Sequence, residues 1–244
     1  MIEVNTYGEG TDVVLLHGCP VPPESLQVIR ERLQKSYRVV VPNLLGIGLD
    51  LVESLAPIEE ALLAHGVEQA ALVGHSLGAY RALQLANSGT ISVTKLIGLG
   101  PVAVFPDERL AQYTELADAI EADAIDIVAV ALSLWYPEPF LEANPQIEEM
   151  VRRWFAEMGD QVVIDTLRVE VYGPDLHPVL QDTDLPVYLR VGELDAGTPP
   201  AWAQAIAAEL PDVRLDIVPG VGHFLHDEDR EPTLSAIEAF LAGE

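Results

Sequence analysis

The chain has 244 residues, of which 49% are hydrophobic, and a formal net charge of −26 from 39 acidic and 13 basic side chains. This length is close to the largest that one hydrophobic core serves, so the composition predicts a single globular domain. The negative charge disfavours nucleic acid and anionic membranes as partners, because both repel an acidic surface.

Short apolar runs alternate with helix-forming stretches along most of the chain, which is typical of a parallel sheet covered on both faces. One strand is expected within 2–7, followed by strands near 13–16, 37–41, 69–73, 93–99, 186–191 and 213–218. Helices are expected near 23–34, 51–65, 77–88, 200–209 and 231–242. The pattern predicts an α/β fold with a mostly parallel sheet of about seven strands.

The alternation stops between about residues 102 and 184. Four stretches with helical periodicity follow one another there without a strand between them, at 107–120, 123–134, 145–158 and 161–171. We expect a core made of 1–102 and 185–244, into which 103–184 is inserted as a helical cap, or lid.

The segment 74–78, Gly-His-Ser-Leu-Gly, carries the clearest chemical signal. It directly follows the apolar run 70–73 and leads into a helix-forming stretch, so it predicts a strand, a tight turn and a helix with Ser76 at the turn. Glycine at both ends leaves room for the strained backbone that such a turn imposes on the serine. The pattern indicates a nucleophile elbow that exposes the Ser76 hydroxyl.

A serine hydroxyl needs a base to accept its proton, and the chain offers an acid and a histidine beyond its last two strands. Asp195 follows the sixth expected strand, in a loop that we expect to end in a helix capped by Thr198. His223 follows the seventh strand and a Pro-Gly-Val-Gly turn. These positions predict a triad in the chain order Ser76, Asp195, His223.

A reaction that passes through a tetrahedral intermediate also needs preorganised donors for the oxygen that becomes negative. The backbone N–H of Leu77, directly after the serine, is one expected donor. The loop that follows the strand near 13–16 supplies the other, and the peptide N–H of Cys19 is the candidate there.

These motifs and their order resemble the α/β-hydrolase superfamily, whose members place nucleophile, acid and histidine in this chain order. The resemblance covers nearly the whole chain. It implies that Ser76 is the nucleophile, that His223 is its base, that Asp195 orients the imidazole, and that Cys19 and Leu77 supply the oxyanion hole.

Two segments refine the resemblance. Residues 135–145 are similar to the lid segment of enol-lactonase-like and cofactor-free haloperoxidase-like esterases. Residues 42–50 depart from the family pattern, because they keep the glycines of the loop after an early strand but not its usual polar residues.

Other residues compete for the acid and base roles. His226 is the main rival to His223, although no Gly-Val-Gly turn precedes it. Glu193 and Asp216 are rivals to Asp195, but both are expected to lie within strands. We therefore favour the triad as stated.

The remaining polar candidates have simpler interpretations. Cys19 is the only cysteine, so no disulfide can form within the chain. It is an alternative nucleophile, but a packing role for its side chain is favoured. His75 is expected to point away from the partners of the nucleophile, and His17 to make structural hydrogen bonds. No histidine and carboxylate cluster stands apart from the triad, so no metal is expected.

The sequence gives only candidates for the residues that line the substrate pocket. The aromatic candidates for substrate binding are Phe105, Trp135, Phe140 and Trp154, each of which is also explained by packing between cap and core. The cationic candidates for an anionic group are Arg152, Arg153 and Arg168, for which solvation at the surface is the simpler explanation.

The leading hypothesis is a serine esterase or lactonase that cleaves a small carboxylic ester or lactone through an acyl-enzyme, without a cofactor. A carbon–carbon bond hydrolase or a perhydrolase would use the same triad, and a catalytically weak hydrolase-like binding protein is a third possibility. Serine at the nucleophile position disfavours dehalogenase and epoxide hydrolase mechanisms. The chain lacks the N-terminal pattern of a secretion signal and an apolar run of membrane-spanning length, so a cytoplasmic location is expected.

Overall fold

The computed structural model describes residues 2–243, which include seven strands in one sheet. The strands are β1 Val4–Tyr7, β2 Asp12–Leu16, β3 Arg38–Pro42, β4 Gln69–His75, β5 Ser92–Leu99, β6 Val187–Gly192 and β7 Val213–Val218. Their spatial order is β1-β3-β2-β4-β5-β6-β7, in which β1 runs antiparallel to β3 and all other neighbours are parallel. The expected seven-stranded, mostly parallel sheet is confirmed.

Each expected helical stretch contains a helix, although the ends differ. The helices are α1 Gln27–Leu33, α2 Leu55–Ala64, α3 Leu77–Ser88, α4 Asp107–Glu121, α5 Ile127–Trp135, α6 Glu138–Ala143, α7 Gln146–Met158, α8 Asp160–Asp165, α9 His177–Leu180, α10 Pro200–Glu209, α11 Leu225–Glu228 and α12 Arg230–Ala242. The short helices α6, α9 and α11 were not expected. A 3₁₀ turn at Pro23–Leu26 precedes α1, and a π-helical turn at Thr166–Glu170 follows α8. Of the helices within residues 2–243, none combines the length and apolar character that crossing a bilayer demands.

Two apolar layers enclose the sheet. Val13 and Leu15 of β2 pack with residues of α1 and α12 on one face. Val14 and Leu16 pack with residues of α2, α3 and α10 on the other. Successive side chains of a strand point to opposite faces, so an uninterrupted apolar strand is what a sheet covered on both sides requires.

The segment between β5 and β6 contains α4 to α9 and no strand among the described residues. Its helices share an apolar cluster that includes Val151 and Trp154, and Phe224 from the loop after β7 is part of the same cluster. Helix α5 begins at Ile127 and not near 123, because the Asp126 carboxylate accepts hydrogen bonds from the first free N–H groups of the helix.

Close backbone packing fixes the turn between β4 and α3. A Cβ atom on Gly78 would lie 1.9 Å from the Leu16 carbonyl oxygen, and one on Gly74 would lie 2.3 Å from the Gly78 carbonyl oxygen. Real Cβ atoms do not approach backbone oxygen so closely. Any larger residue at either position must therefore displace the backbone that carries Ser76.

The substitution Gly78→Ala should lower the free energy of unfolding by about 3 kcal/mol or more, since the methyl group meets rigid backbone. Gly98→Ala in β5 is a matched comparison, because its Cβ would meet only side-chain atoms, those of Leu189 at 3.1 Å and Pro101 at 3.2 Å, and no rigid backbone oxygen. A loss of about 1 kcal/mol is expected there. Urea unfolding of both variants tests the difference, and equal stabilities would contradict the crowding argument.

Candidate active site

Ser76 occupies the turn between β4 and α3 with a strained backbone. Its φ is 56° and its ψ is −123°, a region that residues with a β-carbon rarely adopt. The conformation is held by a hydrogen bond from the Ser76 N–H to the Leu99 carbonyl, at 2.9 Å. Helix α3 begins at the next residue, so its unpaired N–H groups and positive dipole end face the space beside the serine.

Asp195 and His223 meet in the loops that follow two neighbouring strands. Because β6 and β7 are parallel and Gly192 is opposite Val218, both loops leave the same edge of the sheet. His223 Nδ1 lies 2.8 Å from Asp195 Oδ2, and both side chains are almost fully buried. Because Nδ1 is bound to Asp195, the other ring nitrogen, Nε2, is available to accept a proton.

Thr198 holds the Asp195 carboxylate and does not cap a helix as expected. Its N–H donates to Asp195 Oδ1 at 2.7 Å, and its hydroxyl lies 3.0 Å from Asp195 Oδ2 and 2.9 Å from the Gly100 carbonyl oxygen. Helix α10 begins two residues later, at Pro200. The threonine is therefore a support of the acid, which the capping pattern in the sequence did not reveal.

Ser76 and His223 line one narrow cavity of about 40 Å³ between the sheet edge and the helical segment. Within residues 2–243 as described, no hydrogen bond joins the Ser76 hydroxyl to the His223 ring. Catalytic pairs often close this bond only in the substrate complex. The arrangement places hydroxyl, imidazole and carboxylate in sequence at one edge of the sheet.

The walls of this cavity are mostly apolar and come from α4 and α5. Of the four aromatic candidates, Trp135 lines this cavity and Phe105, Phe140 and Trp154 do not. Side chains that share the cavity with Ser76 and His223 are those of Cys19, Pro20, Arg109, Tyr113, Leu116, Ile127, Val130, Ala131, Leu134, Trp135, Phe155 and Leu167.

The three aromatic residues that do not line the cavity belong to apolar clusters. Phe105 lies edge-on to Tyr113 and Trp202, and Phe140 stacks on Tyr136 at 5.6 Å between ring centroids. Trp154 lines a separate groove of about 350 Å³ beside β1 and α1, which contains none of the triad residues. The rotation of each helix against its neighbours decides which aromatic faces the serine.

The backbone near Cys19 closely approaches the serine. Leu16 of β2 is opposite Gly74 of β4, so the loop after β2 passes beside the elbow. A Cβ on Gly18 would lie 2.9 Å from Ser76 Cβ. This approach brings the Cys19 peptide near the N-terminus of α3, where Leu77 is the first helical residue.

The Cys19 thiol is poorly suited to nucleophilic attack. Burial raises its pKa to about 12, and the nearby Glu170 carboxylate adds to the effect. A thiol that stays protonated at neutral pH is a weak nucleophile. The environment of Cys19 therefore agrees with a packing role.

His75 contacts His223, which corrects the expectation that it points away from the partners of Ser76. Its Nε2 donates to the His223 carbonyl oxygen at 3.0 Å, and the two ring centroids are 4.6 Å apart. Burial lowers the pKa of His75 well below its usual value, and the neighbouring His223 and His226 lower it further. A neutral His75 thus anchors the loop that carries His223, a role that its place beside Ser76 in the motif could have suggested.

The rest of the His223 backbone is also held in place. The His223 N–H donates to the Trp135 carbonyl at 2.8 Å, which ties the loop to the end of α5. The Glu228 carboxylate accepts the N–H groups of Gly222 at 2.8 Å and Phe224 at 3.2 Å. Burial raises the pKa of Glu228 to about 7, although both N–H groups oppose the increase.

The rival residues lie outside this arrangement. His226 is buried and its Nε2 donates to the Ser25 carbonyl at 2.9 Å. Glu193 lies just beyond β6, not within the strand as expected, and accepts the Gly220 N–H. Asp216 lies within β7 and binds Arg190.

His17 is buried and makes structural hydrogen bonds. His17 Nε2 accepts the Leu44 N–H at 2.8 Å, so its role is structural, and burial lowers its pKa to about 4. Across residues 2–243, no group of three or more His, Cys, Asp and Glu side chains is arranged to hold a metal ion.

Comparison with known proteins places the chain in a family. Residues 13–236 match the model of the alpha/beta hydrolase family. The chain belongs to this family. It is 34% identical over 252 residues to a pimeloyl–(acyl-carrier protein) methyl ester esterase from Aliivibrio salmonicida, with 98% of this chain and 95% of the relative covered.

The alpha/beta hydrolase fold is shared with solved structures at low sequence identity. A thermophilic esterase from Thermogutta terrifontis has a TM-score of 0.89 at 23% identity, covering 99% of this chain and 93% of the other. An enol-lactonase from Burkholderia xenovorans LB400 has a TM-score of 0.88 at 15% identity, covering 99% and 96%. The family and these likenesses make the chain an α/β hydrolase whose architecture is that of esterases and enol-lactonases.

The partly buried Glu228 should make stability depend on pH. Its pKa in the folded chain, about 7, exceeds the ordinary value of 4.5, so the folded state binds the proton more tightly than the unfolded chain. The stability that this proton confers is complete below about pH 4.5 and is lost as pH rises through 7. Relative to Glu228→Gln, which cannot titrate, the wild type should lose up to about 3 kcal/mol between these limits.

Urea unfolding of the wild type and Glu228→Gln at pH 5 and pH 8 measures this difference. Glu231→Gln is the control, because Glu231 is 70% exposed and its ion pair with Arg32 lies at the surface. The control should track the wild type within about 1 kcal/mol at both pH values. A constant gap between the wild type and Glu228→Gln would rule out titration of this carboxyl group.

Proposed function

We propose that this chain is a serine hydrolase that cleaves a small carboxylic ester or lactone through an acyl-enzyme on Ser76. The observation that carries the proposal is a strained Ser76 in one cavity with His223, whose Nδ1 is bound at 2.8 Å to the Asp195 carboxylate. The methyl ester esterase named above is a relative over almost the full chain, which supports an ester as the substrate.

The first half of the proposed reaction acylates the enzyme. Ser76 Oγ attacks the ester carbonyl carbon while His223 Nε2 takes the hydroxyl proton. The imidazolium that forms is stabilised by Asp195, which receives the Nδ1–H and is held by Thr198. His223 then returns the proton to the departing alkoxide, and the carbonyl group stays bound to the serine as an ester.

The second half releases the acid. A water molecule loses a proton to His223 and attacks the acyl carbon, and Ser76 leaves with the proton that the imidazole carried. The N–H groups of Leu77 and Cys19 face the oxygen that becomes negative in both halves. Every step uses groups of the chain itself, so the proposal calls for no cofactor.

The helical segment 103–184 acts in this proposal as a lid over the serine. Residues of α4 and α5 form the cavity wall opposite Ser76, and Trp135 belongs to both the wall and the support of His223. A cavity of about 40 Å³ favours a short acyl group. Apolar walls also exclude water from the attacking pair, which strengthens the electrostatic interactions that stabilise the transition state.

The variants Ser76→Ala and His223→Ala should each lower kcat for p-nitrophenyl acetate by about 10,000-fold, because attack without the hydroxyl or the base leaves only residual catalysis. A fluorophosphonate probe followed by peptide mapping should label Ser76 in the wild type. A label on Cys19 instead would overturn the choice of nucleophile.

Matched controls separate catalysis from folding. Ser133→Ala removes an exposed hydroxyl on α5 that bonds only to the Val130 carbonyl, and His65→Ala removes a histidine at the end of α2. Both should retain rates within about threefold of the wild type. Near wild-type turnover in Ser76→Ala would contradict the proposed mechanism.

A further inference from the structure

Arg109 stands out among the residues that surround the cavity. It lies on α4 and is the arginine that lines the cavity beside Ser76 and His223. Most other lining side chains are apolar. Arg109 is half-buried, so its guanidinium borders both solvent and the apolar walls, and on the cavity side an anion or a carbonyl is the partner that it would bind.

Two of the other three cap arginines show the usual alternative, and the third, Arg153, is exposed to solvent. Arg152 pairs with Asp126 and Glu148, and Arg168 pairs with two acidic residues of α4, so each charge is neutralised at the surface. Within residues 2–243, Arg109 forms no ion pair. Within the described residues Arg81 and Arg153 also form no ion pair, but of these three arginines Arg109 alone lines the cavity.

The contacts of Arg109 leave most of its donors available. Its Nη2 donates to the Ala196 carbonyl at 3.2 Å, and its guanidinium lies 5.6 Å from the ring centre of Trp202 and 5.9 Å from that of Tyr113. A guanidinium carries five N–H donors in a planar fork, which matches the two oxygens of a carboxylate.

Tyr113 adds a second polar group to the same wall. It lies one helical turn after Arg109 and also lines the cavity. Burial raises the pKa of its hydroxyl above the ordinary value, so the group stays protonated and can donate a hydrogen bond. Two donors are therefore grouped on one side of an otherwise apolar space.

We propose that Arg109 and Tyr113 form a subsite for a carboxylate, so that the preferred substrate is a half-ester of a short dicarboxylic acid. The inference rests on the proposed esterase function. Ser76 attacks the ester carbonyl while the ionised carboxylate at the other end of the acyl chain binds the guanidinium. Because Arg109 and Ser76 line the same small cavity, we expect the two ends to be only a few bonds apart.

The test compares two esters of similar shape, monomethyl succinate and methyl 4-methylpentanoate, in which an isopropyl group replaces the carboxylate. The wild type should favour the half-ester in kcat/KM. Arg109→Met should lower kcat/KM for the half-ester by about 10- to 100-fold, the range expected when a charged hydrogen bond is lost. The neutral ester should change by less than about threefold.

Two further variants make the comparison specific. Arg153→Met removes an exposed arginine of α7 that does not line the cavity, and it should leave the preference unchanged. Arg109→Lys keeps the positive charge but lacks the planar, paired N–H donors of a guanidinium, so part of the preference for the half-ester should remain. Succinate should inhibit hydrolysis of the neutral ester by the wild type and much less by Arg109→Met.

The outcomes separate this inference from the proposed function. A wild type with no preference for the half-ester, or an equal fall for both esters in Arg109→Met, would overturn the subsite and leave Arg109 as a contact between α4 and the Ala196 loop. If the wild type hydrolyses neither these esters nor p-nitrophenyl acetate, the esterase proposal fails. Calorimetric binding of succinate to the wild type and Arg109→Met then still decides the subsite.

Discussion

The structure depends on one crowded turn, where the backbone of β4 must reverse into α3 against the backbone of β2. The Leu16 carbonyl leaves no space for a side chain at Gly78, and the Gly78 carbonyl leaves none at Gly74. Within this packing Ser76 takes a φ of 56°, which lifts its hydroxyl out of the sheet edge. The sheet fixes the position of Ser76, the proposed nucleophile, and neighbouring loops need only to reach it.

Those loops reach it through a chain of buried hydrogen bonds. Thr198 holds the Asp195 carboxylate, which holds the His223 ring. The His223 carbonyl is held by His75, and Glu228 holds the N–H groups of the residues on either side of His223. These supporting residues lie on different strand ends and helices, so the site is assembled from residues that are far apart along the chain. Buried polar groups joined in this way favour a single arrangement over alternatives, because each unmade bond costs free energy.

The positions of Ser76, Asp195 and His223 at strand ends could be predicted, because a short motif and the order of the strands are local properties of the sequence. The cavity walls could not. Whether Trp135 or Phe140 faces the serine depends on how neighbouring helices rotate against each other, and both fit the same helical periodicity. The role of Thr198 was missed because its hydroxyl found a carboxylate three residues before it in place of a helix end.

The hydrogen bond from the His223 N–H to the Trp135 carbonyl joins the loop that carries the imidazole to the helix that covers the cavity. Trp135 ends α5, the helix whose side chains cover the serine. A displacement of α5 that widens the entrance must stretch this bond and disturb the alignment of the imidazole. In the proposed hydrolase, the movement of α5 and the orientation of the His223 imidazole are thus coupled through this one hydrogen bond.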